Sequence, residues 1–250
     1  MSSTRCACLA LVLIPACMVE VGDNDDVGKG PGEYDEIALV IASFVAADHG
    51  GEIASLGDAV ELAGGELPPG FHVEDDGAVA GARGELRYGY RVRCVDAGGA
   101  TVDPCEPGAD RAAIDVTWAG RLAAPGYDGA VDRCGGWSLS MLQAPAAALA
   151  GDSDFIFHGV VRAPGRPERT YHLEARAAYR DVRLGDGAGM VAGRVHYAID
   201  ATPLLGDGGR ARSFTVDAEL VVEDGGRGRL VLDGALGYGL DTRTGAVDAP

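Results

Sequence analysis

Across residues 85–240 apolar and polar side chains alternate with period two, a pattern that lays down strands with one buried and one wet face. Leu86, Tyr88, Tyr90, Val92 and Cys94 share one face of the first stretch, and Arg87, Arg91 and Arg93 share the other. The alternation returns in Ile114, Val116 and Trp118 against Asp115 and Thr117, then in Trp137, Leu139 and Met141 against Ser138 and Ser140. Phe155, Phe157 and Val161 follow, then Tyr171, Leu173, Ala175, Ala177 and Tyr179 against His172, Glu174, Arg176 and Arg180. Val191, Val195, Tyr197 and Ile199 come next, and the stretches at 214–222 and 230–240 are last. This reads as about eight strands, because a side-chain period of two belongs to an extended chain. Gly- and Pro-rich punctuation at 163–167, 185–189, 206–209 and 223–226 supplies tight hairpin turns. Connections that short force antiparallel neighbours, so the expected topology is a meander with one face covered and one face wet.

The cover is expected from the N-terminal side. Ile37, Val40, Ile41, Phe44 and Val45 recur at helical spacing behind Glu33, Asp35 and Glu36, which suit the positive end of a helix dipole. Residues 48–51 stop that helix, and a second runs over 52–63 with Ile53, Leu56, Val60 and Ala63 on one face. The expected fold is therefore α+β and predominantly β. A helical hairpin at 33–64 packs on a large curved antiparallel meander, all in one domain over 33–250. A closed up-and-down β-barrel is the alternative. A curved sheet closed by helices predicts an apolar pocket between the two layers, lined by Tyr88, Tyr90, Trp118, Trp137, Phe155 and Phe157.

The first residues set the expected compartment. Arg5 precedes a short apolar run at 6–16 containing Leu9, Leu11, Val12, Leu13 and Ile14, which reads as a signal peptide over 1–16. The run is too short to span a bilayer, which takes about 20 apolar residues. It ends at Ile14, Pro15, Ala16 and Cys17, which resembles the lipobox of bacterial lipoproteins, although Pro15 departs from the small residue usual there. That resemblance implies a lipid-modified Cys17 at the start of the mature chain. The polar, Gly-rich residues 17–32 then form a tether. An exported protein anchored in the outer membrane or periplasm follows, with a secreted soluble form as the alternative.

Charge and cysteine usage narrow the function. A net charge of −17, with Lys29 the only lysine, leaves no basic face for a phosphate backbone, so nucleic acid is not an expected partner. Cys94 and Cys105 flank a turn-rich loop and are expected to form a disulfide, which fits an oxidising compartment; Cys134 is left over. His158 and His172 flank the 163–167 turn and could face each other across a hairpin, but with Glu174 they make a poor metal set. Asp23, Asp25 and Gly28 match part of a calcium loop that fails at Val27 and Tyr34. Arg87, Arg91 and Arg93 are expected to meet acidic partners such as Asp115. No catalytic motif, metal set or cofactor signature stands out. The expectation is a lipoprotein with a non-enzymatic binding or scaffold role, its partners the membrane through the anchor and an envelope protein or a lipophilic ligand. The architecture resembles periplasmic lipoprotein carriers, which implies carriage of a lipophilic ligand as one alternative. An envelope hydrolase with a dispersed active site is the other.

Overall fold

The computed structural model describes residues 29–102, 105, 109–185, 189–204, 211–223 and 225–248, with residues 189–191 as backbone only. The expected signal segment 1–16, Cys17 and the expected tether as far as residue 28 lie outside the described residues, as do residues 186–188 and 205–210 and the side chain of Val191. Two helices come first, α1 at Pro31–Val45 and α2 at Glu52–Ala63, with a 3-10 turn at Ala47–His49 between them. Pro31 sits in the first helical turn, where its missing N–H is no loss, so α1 starts inside the stretch read as tether.

The strands are β1 (His72–Val73), β2 (Val79–Arg83), β3 (Leu86–Val95), β4 (Thr101–Val102), β5 (Arg111–Ala124), β6 (Tyr127–Ser140), β7 (Ala146–Val161), β8 (Arg169–Gly185), β9 (Gly189–Leu204), β10 (Phe214–Glu223), β11 (Arg227–Leu232), β12 (Leu236–Asp241) and β13 (Val247–Asp248). They form one antiparallel sheet in chain order, with β4 alone off the path, paired to β3. The meander is as expected, but the eight stretches become thirteen strands among the described residues. The 230–240 stretch divides at a turn where Asp233 and Gly234 take positive φ, giving β11 and β12. β1, β4 and β13 are too short for any period to show, and β2 is rich in Ala and Gly. Met141 does not extend the buried face of β6; it follows the strand in a turn at φ 60° and is exposed.

The sheet is not closed, which overturns the barrel alternative. Its path begins and ends in two-residue strands, β1 and β13, the short edges that keep an open sheet from pairing with another chain. The interhelical turn bridges the two sides of the opening. Ala47 and Asp48 donate backbone N–H groups to the Thr242 and Arg243 carbonyls, at 3.0 and 2.8 Å, and Arg243 pairs with Asp48 at 3.0 Å. Close by, the Tyr88 hydroxyl of β3 donates to the Gly50 carbonyl. Gly50 stands at φ 71°, a left-handed conformation that lets the chain reverse into α2 without a Cβ penalty.

Below the turn, Phe44 of α1 rests on Phe155 and Phe157 of β7, with ring centroids 4.9 and 5.1 Å away, and meets Tyr197 edge-on at 5.5 Å. Ile37, Val40, Ile41 and Val45 are buried around it, at roughly 1.5–3 kcal/mol per large side chain. α2 buries less: Ile53, Leu56 and Leu62 are its large buried apolar side chains, and Val60 is only partly buried. The Cys94–Cys105 disulfide forms as expected across the connection from β3 to β5, with Cα atoms 5.4 Å apart. Among the described residues no helix is long and apolar enough to cross a membrane.

Candidate functional site

β6 carries Tyr127, Val131, Arg133, Trp137 and Leu139 toward the helices, so strand parity drives a guanidinium into the middle of the core. Arg133 is fully buried. Three aromatic rings surround it, Trp137 at 4.4 Å, Phe155 at 5.2 Å and Trp118 at 5.6 Å from its Cζ, and cation–π attraction compensates part of its lost hydration. Its Nη2 donates to Ser153 Oγ at 2.8 Å and to the Tyr179 hydroxyl at 3.2 Å, and Nη1 reaches Ser55 Oγ at 3.4 Å. Among the described residues the carboxylate paired with it is Glu52, at the start of α2, whose Oε1 lies 3.6 Å from Nη2. Glu52 Oε2 accepts from the Tyr197 hydroxyl at 2.8 Å.

Four buried side-chain polar atoms among the described residues lack a hydrogen-bond partner, and all four belong to this cluster: Arg133 Nε, Glu52 Oε1, Trp118 Nε1 and Trp137 Nε1. Buried polar atoms are nearly always paired, and each orphan costs about 1–3 kcal/mol. Gathering all four in one place marks a site built for more than packing. Burial pushes the Glu52 carboxyl up, while Arg133 and Tyr197 oppose the rise. Burial pushes Arg133 down, against Glu52, yet a guanidinium stays protonated in proteins.

The cluster extends along α2 and α1 as a row of carboxylates, each received by the sheet. Tyr90 donates to Asp58 at 3.2 Å and shares a 2.9 Å hydrogen bond with Ser55, and Arg83 pairs with Asp58 from β2. Tyr171 donates to Glu36, which Arg169 also meets at 3.4 Å; Tyr238 donates to Asp35 at 3.0 Å. Burial holds the Tyr90 and Tyr197 hydroxyls well above their ordinary range, so both remain donors. The helices are thus fixed to the sheet by tyrosine hydroxyls and arginines as much as by apolar contact.

The six aromatics expected to line a pocket all point inward and are buried. Trp118, Trp137 and Phe155 enclose Arg133, Phe157 packs on Phe44, and Tyr88 and Tyr90 tie down α2. Alternation reveals their shared face but not the charged centre among them. Glycines at 129, 135 and 136 dilute the apolar pattern of β6, so the strand is visible only from Trp137 onward. Counting back by two from Trp137 reaches Arg133, and that parity is the available signal. Glu36, Glu52 and Asp58 are masked by the exposed-face appearance of acidic residues in helices.

The outer face holds the other residues singled out from sequence. His158 and His172 are direct cross-strand partners with ring centroids 6.3 Å apart, and His172 meets Glu174 at 3.3 Å. Among the described residues no group of three metal-ligating side chains forms. Arg91 pairs with Asp76 and Arg93 with Asp115 as expected, while Arg87 meets no acidic partner among the described residues. An open depression here is lined by Arg121, Asp128, Asp132, Ile156, His158 and Thr170, but Arg121 and Asp128 already satisfy each other in a two-bond pair. Cys134 is buried on the same side, beneath Asp154 and Arg176.

Comparison with known proteins finds no matching family model, no matching curated protein and no matching solved structure, so the geometry of the Arg133 cluster carries the functional reading.

Proposed function

We propose that the chain is an exported, lipid-anchored envelope protein whose helix-covered sheet is a non-enzymatic binding module, with the inner face of the sheet beneath α2 as the binding surface for a lipophilic ligand. The observation that carries this reading is the way α2 is held. Its sheet-facing side presents Glu52, Ser55 and Asp58 to Arg133, Tyr197, Tyr90 and Arg83. A buried ion pair contributes little net stability compared with a packed apolar pair; its best-attested uses are in register and switching. Glycine pairs at 50–51 and 64–65 flank α2, and Gly50 and Gly65 take positive φ, which supports α2 as the element that moves when a ligand enters. Moving it uncovers aromatic surface, not polar backbone. The chemistry of the cluster agrees with binding: an arginine always protonated holds charge and does not transfer protons.

Native mass spectrometry of the exported chain tests the proposal. The expected result is an apolar small molecule retained on the protein, displaced in step with a rise in hydrogen exchange across residues 52–63. A protein that carries nothing, takes up no added lipid and protects α2 as strongly as α1 overturns it.

A further inference from the structure

The residues left unpaired beneath α2 narrow the ligand class, on the footing of the binding site just proposed. Arg133 Nε, Trp118 Nε1 and Trp137 Nε1 are three N–H donors, all buried, all without an acceptor among the described residues, and all on the inner face around one guanidinium. Donors in that number are matched by an anion with several lone pairs. The protein's own anion fits poorly. Glu52 gives one oxygen to Tyr197 and leaves the other 3.6 Å from Arg133 Nη2, beyond hydrogen-bond length and without the two-bond fork a guanidinium forms with a well-placed carboxylate. Phe155, Trp118 and Trp137 make the walls around it apolar and aromatic.

We infer that Arg133 is the head-group site for an anionic amphiphile, a molecule with a carboxylate or phosphate head and a hydrocarbon tail, and that Glu52 is an internal stand-in which the head displaces. Binding then couples to the cover directly. The incoming head takes Arg133 and the two indole N–H groups, Glu52 leaves with the first turn of α2, and the tail lies along the aromatic surface that α2 gives up. No bond is made or broken; one anion replaces another on a fixed cation. The exchange also explains why a carboxylate with so few partners is kept in the core, since an optimal internal partner would shut the site.

Calorimetric titration of the exported chain with twelve-carbon probes below their micelle concentrations tests this. The probes are dodecanoate, dodecyl phosphate, dodecanol and dodecyltrimethylammonium. At least one anionic probe is expected to bind ten-fold or more tighter than dodecanol, with the cationic probe weakest, and binding is expected to shift the emission of Trp118 and Trp137. Which anion wins identifies the head. Glu52→Gln, which keeps the shape and loses the competing charge, is expected to tighten the anionic probes several-fold more than it tightens dodecanol, because the neutral probe gains from a looser cover but not from the vacated cation. Arg133→Gln is expected to erase the preference for the anion. Should that variant fail to fold, Glu52→Gln and the probe series still decide the matter. Equal affinity for dodecanol and both anions overturns the head-group assignment while leaving the binding site beneath α2 standing. No binding of any probe overturns both.

Discussion

Arg133 Nη2 lies 3.6 Å from Glu52 Oε1, with both side chains sealed from solvent between one strand and the first turn of one helix. Removing one partner strands the other charge in the core. Glu52→Leu is therefore expected to cost roughly 3–5 kcal/mol, the usual penalty for an unpaired buried ion. The double variant Glu52→Leu/Arg133→Met replaces the pair with apolar volume and is expected to lose far less than the two single changes together. Urea titrations of the four proteins give the coupling directly. Additive losses mean that the two groups do not interact.

The same pair shows what alternation in a sequence can and cannot reveal. Strand faces at Leu86, Tyr88, Tyr90, Phe155, Phe157, Tyr171 and Tyr197 are legible because each sits in an apolar–polar rhythm. The Arg133 half of β6 is not, because its glycines supply no side chain to either face. Glu52 marks the start of α2, where the dipole favours an acidic residue, but a dipole does not say which way a side chain points. The open sheet agrees with the expected helix-covered meander, but alternation alone does not separate it from a closed barrel, and the contacts of the interhelical turn with Thr242 and Arg243, far along the chain, are encoded by no local pattern.

The Cys94–Cys105 bridge closes a short loop with a sequence separation of 11, so its stabilisation comes from limiting the unfolded chain by about 2–3 kcal/mol. Reduction is expected to lower the denaturation midpoint accordingly. Cys94 Sγ also lies 3.8 Å from the Ala63 carbonyl oxygen at the end of α2, so reduction is expected to raise hydrogen exchange at that end of the helix and to leave the Glu52 end unaltered. Unchanged protection at both ends means that the bridge steadies the loop alone.

Gly151 pairs with Trp137 across β6 and β7 and stands at φ 156°. A methyl group placed there would fall 2.2 Å from the Gly136 carbonyl oxygen and 3.0 Å from Trp137 Cδ1. Gly151→Ala therefore combines backbone strain with a displaced indole, at roughly 1–3 kcal/mol. Since Trp137 walls the Arg133 site, the variant is expected to change tryptophan emission as well as stability. A normal spectrum with a normal midpoint indicates that strand and ring have room to move.

Anchoring is tested at Cys17. Cys17→Ser is expected to move the protein from the membrane fraction to the soluble fraction, and intact mass of the native chain is expected to show lipid on that residue and none of the first sixteen. An unmodified Cys17 in the native protein reduces the N-terminal segment to an ordinary signal.

Acidity offers the most direct view of the buried carboxylate. Burial raises Glu52 above its ordinary value of 4.5, so the folded state binds its proton more tightly than the unfolded chain does. The stability contributed by that proton is complete below pH 4.5 and disappears as pH rises through the higher, folded value. Asp58 and Glu61 move in the same direction, again chiefly through burial, so the three carboxylates of α2 act together. Glu52→Gln carries no titrating group at that position. The melting temperature of the parent minus that of Glu52→Gln is therefore expected to be largest in acid and to fall as pH rises from 4.5 toward neutrality. Hydrogen exchange in α2 is expected to follow, with slower exchange in acid after correction for the intrinsic rate. A difference that stays flat across that range means Arg133 holds Glu52 ionised throughout, and the cover is then latched by a permanent ion pair instead of a titrating one.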